Sequence, residues 1–370
     1  MSCALPATRY QDFSRQIFEK RVSQGKPVTA QVELTYGCNL HCVHCYTDCY
    51  NRPDLIKQRE LPTGEIIRIL NELYEEGILW VCFTGGEIFV RKDFMEIYGH
   101  AKQKGFLITL YTNGTLFTEK IVDFLKENPP FSIEISCHGA TEETFDKVTQ
   151  VKGSFKRFLK GLELLQSRKL SFKLKSSAMT INCHEFAALK KFIESFGCKF
   201  KMDSYIYPRL NGDLEPARYR LSPDEIAKIE GDEATGDSFC LSKNSAVPRL
   251  GPPANDDLFR CGCGKTGVHI NAWGQLGTCT WVYEARSDLK QKPVREAINE
   301  VFPKIRAMKY QSDSPCRTCQ VHHFCDKMPS TFRLEAGDPE KPLRHFCDTA
   351  VARAEQTLQQ KVPHPYGIRD

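Results

Sequence analysis

Short apolar runs alternate with amphipathic stretches from residue 30 to about residue 206. Apolar runs rich in β-branched and aromatic residues predict strands, and apolar residues that recur every three or four positions predict helices. The predicted strands are residues 32–35, 79–84, 106–112, 131–137, 170–179 and 198–206. The predicted helices between them are residues 63–76, 92–104, 119–127, 154–168 and 183–196.

This series of strand–helix units predicts an α/β fold. A parallel sheet with right-handed crossovers would close wholly or partly into a barrel, giving a partial (β/α)6 TIM-like architecture. The helix at 154–168 supports this prediction, because it places one apolar stripe toward the sheet: Phe155, Phe158, Leu159, Leu162 and Leu165. Functional groups in such folds gather where the strands end.

Three cysteines follow the first predicted strand on one short loop. Cys38, Cys42 and Cys45 have the spacing CX3CX2C, with His44 directly before the last cysteine. Clustered thiolates select iron–sulfur clusters, zinc or copper(I), and a zinc loop or a redox pair is the alternative interpretation. Three thiolates would leave one iron of a four-iron cubane open to a ligand that is not protein.

The next strand ends also carry polar groups and glycines. Gly85, Gly86 and Glu87 follow the second predicted strand, and Thr112 and Asn113 end the third, before a glycine. Glycines let the backbone turn sharply and approach a ligand closely. Each motif alone is typical of an ordinary turn, but at the same edge as the cysteine loop they predict a binding site.

Charge and cysteine content narrow the class of protein. The 370 residues carry a net charge of +5 without a basic block, which gives no reason to predict a nucleic-acid partner. Neither a signal peptide nor a membrane-spanning run is recognisable, so we predict a cytoplasmic protein without a membrane partner. In such a chain 17 cysteines indicate metal binding or catalysis rather than disulfides. The cysteines that lie singly in predicted elements are interpreted as core residues: Cys82, Cys137, Cys183 and Cys198.

A second group of cysteines lies toward the C terminus. Cys261 and Cys263 precede a predicted hairpin with its turn at residues 272–274, and Cys279 ends that hairpin. The later cysteines have the spacing CX2CX5C followed by one more: Cys316, Cys319, Cys325 and Cys347. A structural zinc knuckle is the alternative interpretation of this region.

Taken together, these motifs resemble the radical S-adenosylmethionine (SAM) superfamily. The resemblance implies a [4Fe-4S] cluster on Cys38, Cys42 and Cys45, whose open iron binds SAM. It implies SAM contacts from the GGE motif, Gly85, Gly86 and Glu87, and from the TNG motif, which begins with Thr112 and Asn113. It also implies contacts from His44 beside the cluster and from Ser136 and His138 at the end of the fourth strand. One departure is Ile88, which stands where the family usually has proline.

The C-terminal cysteines resemble the SPASM extension of that superfamily, with Gly274 in its hairpin. The resemblance implies one or two auxiliary [4Fe-4S] clusters. The first would use Cys261, Cys263 and Cys279, and the second would use Cys316, Cys319, Cys325 and Cys347. A further cysteine usual in the first cluster is missing, because Met328 and Pro329 occupy its place. The first cluster is therefore expected to have an open iron or to be absent.

SPASM enzymes of the PQQ-biosynthesis and peptide-maturation type mostly modify ribosomally synthesised peptides. The resemblance implies that this chain cross-links, rearranges or excises part of a precursor peptide. Thr280 stands where the serine- and cysteine-oxidising subgroup has an aspartate, which argues against that subgroup. Implied partners are the peptide, a separate small leader-recognition protein of the RRE or PqqD type, and an electron donor such as flavodoxin or ferredoxin. Action on a small molecule or cofactor precursor is the main alternative, and a non-catalytic metal-bound scaffold is another.

The predicted domain organisation follows these motifs. Residues 1–27 form an amphipathic segment that packs on the body, 28–215 the barrel, and 216–257 a helix and linker. Residues 258–350 form the SPASM domain, a β-hairpin plus short helices, and 351–370 a helix end and tail.

Overall fold

The computed structural model describes residues 9–47, 60–231, 250–262, 264–326 and 328–367. The strands are β1 Thr29–Thr35, β2 Trp80–Gly85, β3 Leu107–Thr112, β4 Ser132–Ser136, β5 Lys173–Ser177, β6 Lys201–Asp203, β7 Gly267–Ile270, β8 Gln275–Gly277 and β9 Ser287–Asp288. The helices are α1 Tyr10–Ser23, α2 Thr63–Glu75, α3 Phe94–Gln103, α4 Glu119–Glu127, α5 Glu142–Thr149, α6 Ser154–Ser167, α7 Phe186–Ser195, α8 Pro223–Gly231, α9 Val294–Ala307, α10 Pro329–Ala336 and α11 Arg344–Leu358.

Within these ranges, one sheet contains nine strands in the order β6-β5-β4-β3-β2-β1-β7-β8-β9. Neighbouring strands from β1 to β6 are parallel. In the described residues the sheet has β6 and β9 at its two edges, so it does not close into a complete barrel. The prediction of an α/β partial barrel is confirmed.

The hydrophobic core lies between the sheet and its outer helices. Alternate strand residues such as Val81, Phe83, Ile108 and Leu110 point outward and are buried against these helices. The predicted stripe of α6 is part of this core, with four of its apolar residues buried and Leu159 partly buried. The inner face of the sheet is therefore free to carry polar side chains.

The C-terminal hairpin continues the barrel's sheet. Strand β7 pairs in parallel with β1, with Gln31 opposite His269, and β8 returns antiparallel to β7. The sequence predicted the hairpin but not this attachment. The division into domains stays a prediction, although the attachment places the hairpin directly beside the strand that leads into the cysteine loop.

Helix α1 covers the end of the barrel at which the strands begin, opposite the cysteine loop. Trp80, at the start of β2, donates a hydrogen bond from Nε1 to the Tyr10 hydroxyl at 2.8 Å and stacks on Phe18. Arg21 donates to the Pro27 carbonyl at 2.8 Å. The helix therefore packs on the body, as predicted, at the amino ends of the strands. In the described parts of the chain, no helix combines the length and apolar character needed to cross a membrane.

The start of α8 and the burial of the single cysteines can be compared with the sequence, and the predictions for the cysteines are only partly confirmed. Helix α8 begins directly after Ser222, where Ser222 and Glu225 exchange hydrogen bonds. Cys137 and Cys198 are buried in the core, as predicted. The core prediction is wrong for Cys82, which lies between the outward residues Val81 and Phe83 and so faces the inner side of the sheet. Cys183 is half-buried and packs against the core.

Candidate active site

The three-cysteine loop begins where β1 ends, and it is fixed by neighbouring backbone. His41 and Val43 donate backbone hydrogen bonds to the carbonyls of Thr149 and Val148, both at 3.0 Å. Those carbonyls lie at the end of α5, where a helix leaves acceptors without partners inside the helix. The loop therefore uses the open end of α5 as its support.

The thiols of this loop lie close enough to influence one another electrostatically. Burial raises the pKa of Cys42 well above its usual value, and the nearby Cys45 and Cys38 raise it further. Burial also raises the pKa of Cys38 to about 12, with a further contribution from Cys45. Thiolates bind metals, so such thiols lose their protons when a cationic group binds between them.

The glycine pair after β2 packs directly on the start of this loop. A Cβ at Gly85 would lie 2.1 Å from the Thr35 carbonyl oxygen, and one at Gly86 would lie 2.3 Å from that of Gly37. Gly86 also donates its N–H to the Thr35 carbonyl at 2.7 Å. Residues with side chains cannot make this approach, so the glycines join the two strand ends.

Glu87 then connects the GGE motif to the TNG motif. Its buried carboxylate accepts hydrogen bonds from the Thr112 hydroxyl at 2.7 and 2.8 Å and from the Asn113 N–H at 2.7 Å. It also accepts one from the Phe89 N–H at 3.2 Å. Burial raises its pKa to about 7 despite these donors. Glu87 therefore holds the ends of β2 and β3 together.

Asn113 connects the TNG motif back to the cysteine loop. Its side-chain Nδ2 donates to Asn39 Oδ1 at 2.9 Å and lies 3.8 Å from Cys38 Sγ. Its Oδ1 accepts from the N–H of Thr115 at 2.9 Å and from its hydroxyl at 2.7 Å, and Asn39 Nδ2 donates to the Thr115 hydroxyl at 2.8 Å. The three sequence motifs thus form one hydrogen-bonded unit.

His44 and His138 meet on the other side of the loop. Their rings lie 4.5 Å apart at 73°. The Ser177 N–H donates to His138 Nδ1 at 3.2 Å, so the proton of neutral His138 sits on Nε2. Burial lowers the pKa of His44 to about 4 and that of His138 well below its usual value. Ser136 ends β4 nearby, opposite Lys175 in the sheet.

The later cysteines surround a large cavity between the sheet and the C-terminal region. The cavity has a volume of about 1150 Å³. Its walls include Lys175 of β5 and Asp203 of β6 together with five cysteines: Cys261, Cys316, Cys319, Cys325 and Cys347. Burial raises the pKa of Cys325 well above its usual value, and Cys347, Cys316 and Cys319 raise it further. The structure therefore brings together all four residues predicted for the second auxiliary cluster.

The residues predicted for the first auxiliary cluster are less closely gathered. Cys261 is exposed and lines the same cavity, whereas Cys279 is not among the described lining residues and packs against the main core. Cys263 lies outside the described residues. This cluster stays a prediction.

A buried arginine, which the sequence did not single out, supports the four-cysteine site. Arg353 of α11 donates to both carboxylate oxygens of Glu230 at 2.6 Å and to Asp326 at 3.1 Å. It also donates to the Tyr205 hydroxyl. Because Asp326 directly follows Cys325, this network ties the cysteine segment to α8 and to the loop after β6.

The described cysteines fit iron–sulfur clusters by the chemistry of their donors. One loop supplies three thiols that influence one another, and a second site supplies four. Soft thiolate sets of this kind suit iron–sulfur clusters. Within the described residues, no group of three or more His, Cys, Asp or Glu side chains has an arrangement that could hold a single metal ion.

Comparison with known proteins identifies the family. The model of the Radical SAM superfamily matches residues 32–192. Mycofactocin maturase MftC of Mycolicibacterium smegmatis is 30% identical over 338 residues, which cover 85% of this chain and 82% of that protein. The chain belongs to the radical SAM superfamily. Members of this family use a [4Fe-4S] cluster and SAM.

Two further relatives show the breadth of this similarity. The AdoMet-dependent heme synthase of Methanosarcina barkeri is 25% identical over 312 residues, covering 79% of this chain and 88% of that protein. The crystal structure of Streptococcus suis SuiB bound to its precursor peptide SuiA has a TM-score of 0.63 at 14% identity, and the match covers 91% of this chain and 80% of SuiB. The structural likeness supports the fold, including the C-terminal cysteine region.

Proposed function

We propose that this radical SAM enzyme modifies a ribosomally synthesised precursor peptide. The supporting observation is the cavity of about 1150 Å³, which is lined by five cysteines of the C-terminal region and by residues of β5 and β6. Sites for small ligands commonly measure about 300–1,000 Å³, so this space suits a peptide segment beside an auxiliary cluster. The maturase named among its relatives supports the same substrate class.

We assign the cofactor sites on the same basis. Cys38, Cys42 and Cys45 would hold the [4Fe-4S] cluster, and the surrounding motifs would contact SAM: His44, Gly85, Gly86, Glu87, Thr112, Asn113, Ser136 and His138. Cys316, Cys319, Cys325 and Cys347 would hold the second auxiliary cluster, and Cys261, Cys263 and Cys279 the first.

When bound, the cluster and SAM would supply radical chemistry able to remove a hydrogen atom from an unactivated carbon. The chain's own residues supply placement. Gly85 and Gly86 keep the edge of the site free of side chains. Asn113 directs an N–H toward the Cys38 sulfur, which stabilises its thiolate form. Glu87 fixes the ends of two strands, so that the loop and the SAM side of the site keep one geometry.

The proposal is tested with protein purified under argon. We expect a brown protein that produces 5′-deoxyadenosine from SAM with dithionite, and a mass change in a precursor peptide encoded near its gene. A Cys42→Ala variant should lose 5′-deoxyadenosine formation. Turnover of SAM without any change in such peptides would contradict the peptide assignment.

Counting iron decides how many auxiliary clusters the chain holds. About eight irons per chain would indicate one auxiliary cluster, and about twelve would indicate two. A Cys261→Ala variant should lose about four irons only if the first auxiliary cluster is present.

A small-molecule substrate is the second candidate. The similarity to an AdoMet-dependent heme synthase over 79% of this chain favours it. Mass spectrometry separates the two candidates, because a porphyrin would change mass in the same assay while every peptide remained unchanged.

We also propose a separate leader-recognition protein and a flavodoxin or ferredoxin as electron donor. A pull-down should recover the precursor peptide only when the recognition protein is present. Tight binding of the peptide by this chain alone would contradict that part of the proposal.

A further inference from the structure

A buried carboxylate on β1 contacts both ends of the cysteine loop. Glu33 is 2% exposed. Its Oε2 accepts a hydrogen bond from the Tyr36 hydroxyl, and its Oε1 accepts one from the Tyr46 hydroxyl, both at 2.8 Å. Tyr36 lies two residues before Cys38, and Tyr46 directly follows Cys45. One side chain therefore binds the two points at which the loop enters and leaves the site.

The same carboxylate faces the C-terminal hairpin. His269 Nε2 on β7 lies 3.5 Å from Glu33 Oε1. Arg286 contacts His269 Nδ1 at 3.3 Å, so Arg286 and Glu33 approach different nitrogens of the imidazole ring. Arg286 also donates to the carbonyls of Cys279 and Thr280, both at 3.0 Å. The network thus extends from the cysteine loop to the backbone of Cys279.

The electrostatics favour a carboxylate that remains ionised in this position. Burial alone would raise the pKa of Glu33, but His269 and the hydroxyls of Tyr36 and Tyr46 outweigh burial and lower it. A buried charge destabilises a protein unless it is paired and hydrogen-bonded. An apolar residue would suit a sheet interior more simply, so a carboxylate that binds both tyrosine hydroxyls indicates a role in placement.

The tyrosine rings are held independently of their hydroxyls. Tyr36 packs against Trp273 with ring centroids 5.2 Å apart, and Tyr46 packs against Trp281 at 5.3 Å. A tyrosine-to-phenylalanine change therefore removes the contact with Glu33 while the ring keeps its neighbours.

We propose that Glu33 is a positioning residue that sets the separation of the two ends of the cysteine loop and couples the loop to the hairpin. The inference rests on the proposed function, because it assumes that this loop holds the SAM-site cluster. Without Glu33 the two ends of the loop lose the one side chain that binds both of them, and the three thiols keep less precisely the geometry that leaves one iron open to SAM.

The test compares Tyr36→Phe, Tyr46→Phe and Glu33→Gln with a matched control, Tyr98→Phe. Tyr98 is also buried, and its hydroxyl donates to the Asn128 carbonyl at 2.6 Å, away from the loop. The readout is the electron paramagnetic resonance spectrum of the reduced, iron-loaded protein, recorded with and without SAM. Only the cluster that binds SAM changes between the two spectra.

We expect the SAM concentration needed for half of this spectral change to rise about threefold to tenfold in each loop tyrosine variant and further in Glu33→Gln. Tyr98→Phe should match the wild type. In a Glu33→Ala variant, adding Tyr46→Phe should have no further effect, because the Tyr46 hydroxyl has already lost the carboxylate that accepts its hydrogen bond.

Wild-type values in both loop tyrosine variants, or additive effects in the double variant, would overturn the inference. The two tyrosine variants decide the question if Glu33→Gln does not fold. A wild-type protein without any SAM-dependent spectrum would instead overturn the proposed function.

Discussion

At the scale of single residues, Glu87 gives the clearest reason to expect that the stability of the protein depends on pH. Burial raises its pKa to about 7, whereas an unfolded glutamate titrates near pH 4.3. The folded protein therefore binds the proton more tightly than the unfolded chain does. The resulting stability is complete below the unfolded pKa and is lost as the pH rises toward 7.

We predict that Glu87→Gln removes this pH dependence. Relative to the variant, the wild type should lose about 2 kcal/mol of unfolding free energy between pH 5 and pH 8. Denaturant unfolding under argon at several pH values measures the difference, and taking that difference cancels the buried histidines, which titrate in both proteins. A constant difference across this range would contradict the raised pKa.

Asn113 supports a second prediction at this scale. Asn113→Ala removes the hydrogen bonds to Asn39 and Thr115 and the N–H directed at Cys38. We expect a loss of about 2–3 kcal/mol in stability, because each lost buried hydrogen bond costs about 1 kcal/mol. Iron should also pass to a chelator faster than in the wild type.

Asn128→Ala is the matched control for that experiment. Asn128 donates from its side chain to the Phe124 carbonyl at 3.1 Å, at the end of α4 and away from the site. It should lower stability slightly and leave the rate of iron loss unchanged. Equal rates of iron loss in both variants would show that Asn113 does not protect the cluster.

At the scale of elements, the close contact between the end of β2 and the cysteine loop depends on the absence of a side chain. In Gly86→Ala the new Cβ would lie 2.3 Å from the Gly37 carbonyl oxygen. The backbone must move to relieve this overlap, at a cost of about 1–3 kcal/mol. We expect reduced stability and a lower yield of iron-loaded protein.

The same substitution at Gly99 provides the control. Gly99 lies inside α3, and its added Cβ would meet nothing within 4 Å. Gly99→Ala should raise stability by about 1 kcal/mol, because alanine favours a helix interior over glycine. Unfolding midpoints and iron content of the two variants check the prediction, which fails if Gly86→Ala behaves like Gly99→Ala.

Most barrel elements could be predicted from the sequence because their signals are local. Helix α4 begins and ends at the predicted residues, and its Thr118 cap is visible in the sequence. The attachment of β7 to β1 could not be predicted, since the two strands lie more than 200 residues apart and strand pairing over such distances has no local signal. Helix α5 was not predicted, and the helices expected in the C-terminal cysteine region were predicted without bounds.

The same contrast between features that could and could not be predicted from the sequence holds for the side chains of the site. The strand-end rule brought the cysteine loop, the GGE motif and the TNG motif to one edge, and the hydrogen bonds of Glu87 and Asn113 connect them. Glu33 was missed because its strand was interpreted as an apolar run. A charged residue inside such a run is a usable signal, since buried carboxylates are rare unless they are paired.

At the scale of the whole molecule, Arg353 connects regions that are distant in sequence. It is 5% exposed, and it binds Glu230 of α8, Asp326 beside Cys325 and the Tyr205 hydroxyl after β6. The segment that carries Cys325 therefore keeps its place relative to the barrel through a buried charge network rather than through apolar packing alone.

We predict that Arg353→Met destabilises the protein by about 3–5 kcal/mol, because it leaves the carboxylate of Glu230 buried without its cation. The control is Arg295→Met, which removes a 2.6 Å pair with Glu76 whose arginine is 69% exposed, and which should change stability little. Denaturant unfolding measures the stability of both variants.

Iron content is a second readout for Arg353→Met. Loss of the arginine releases Asp326 and frees the segment that carries Cys325. This variant should therefore lose about four irons per chain. A variant with unchanged iron content and wild-type stability would show that the four-cysteine site is held by its own loop and not by this network.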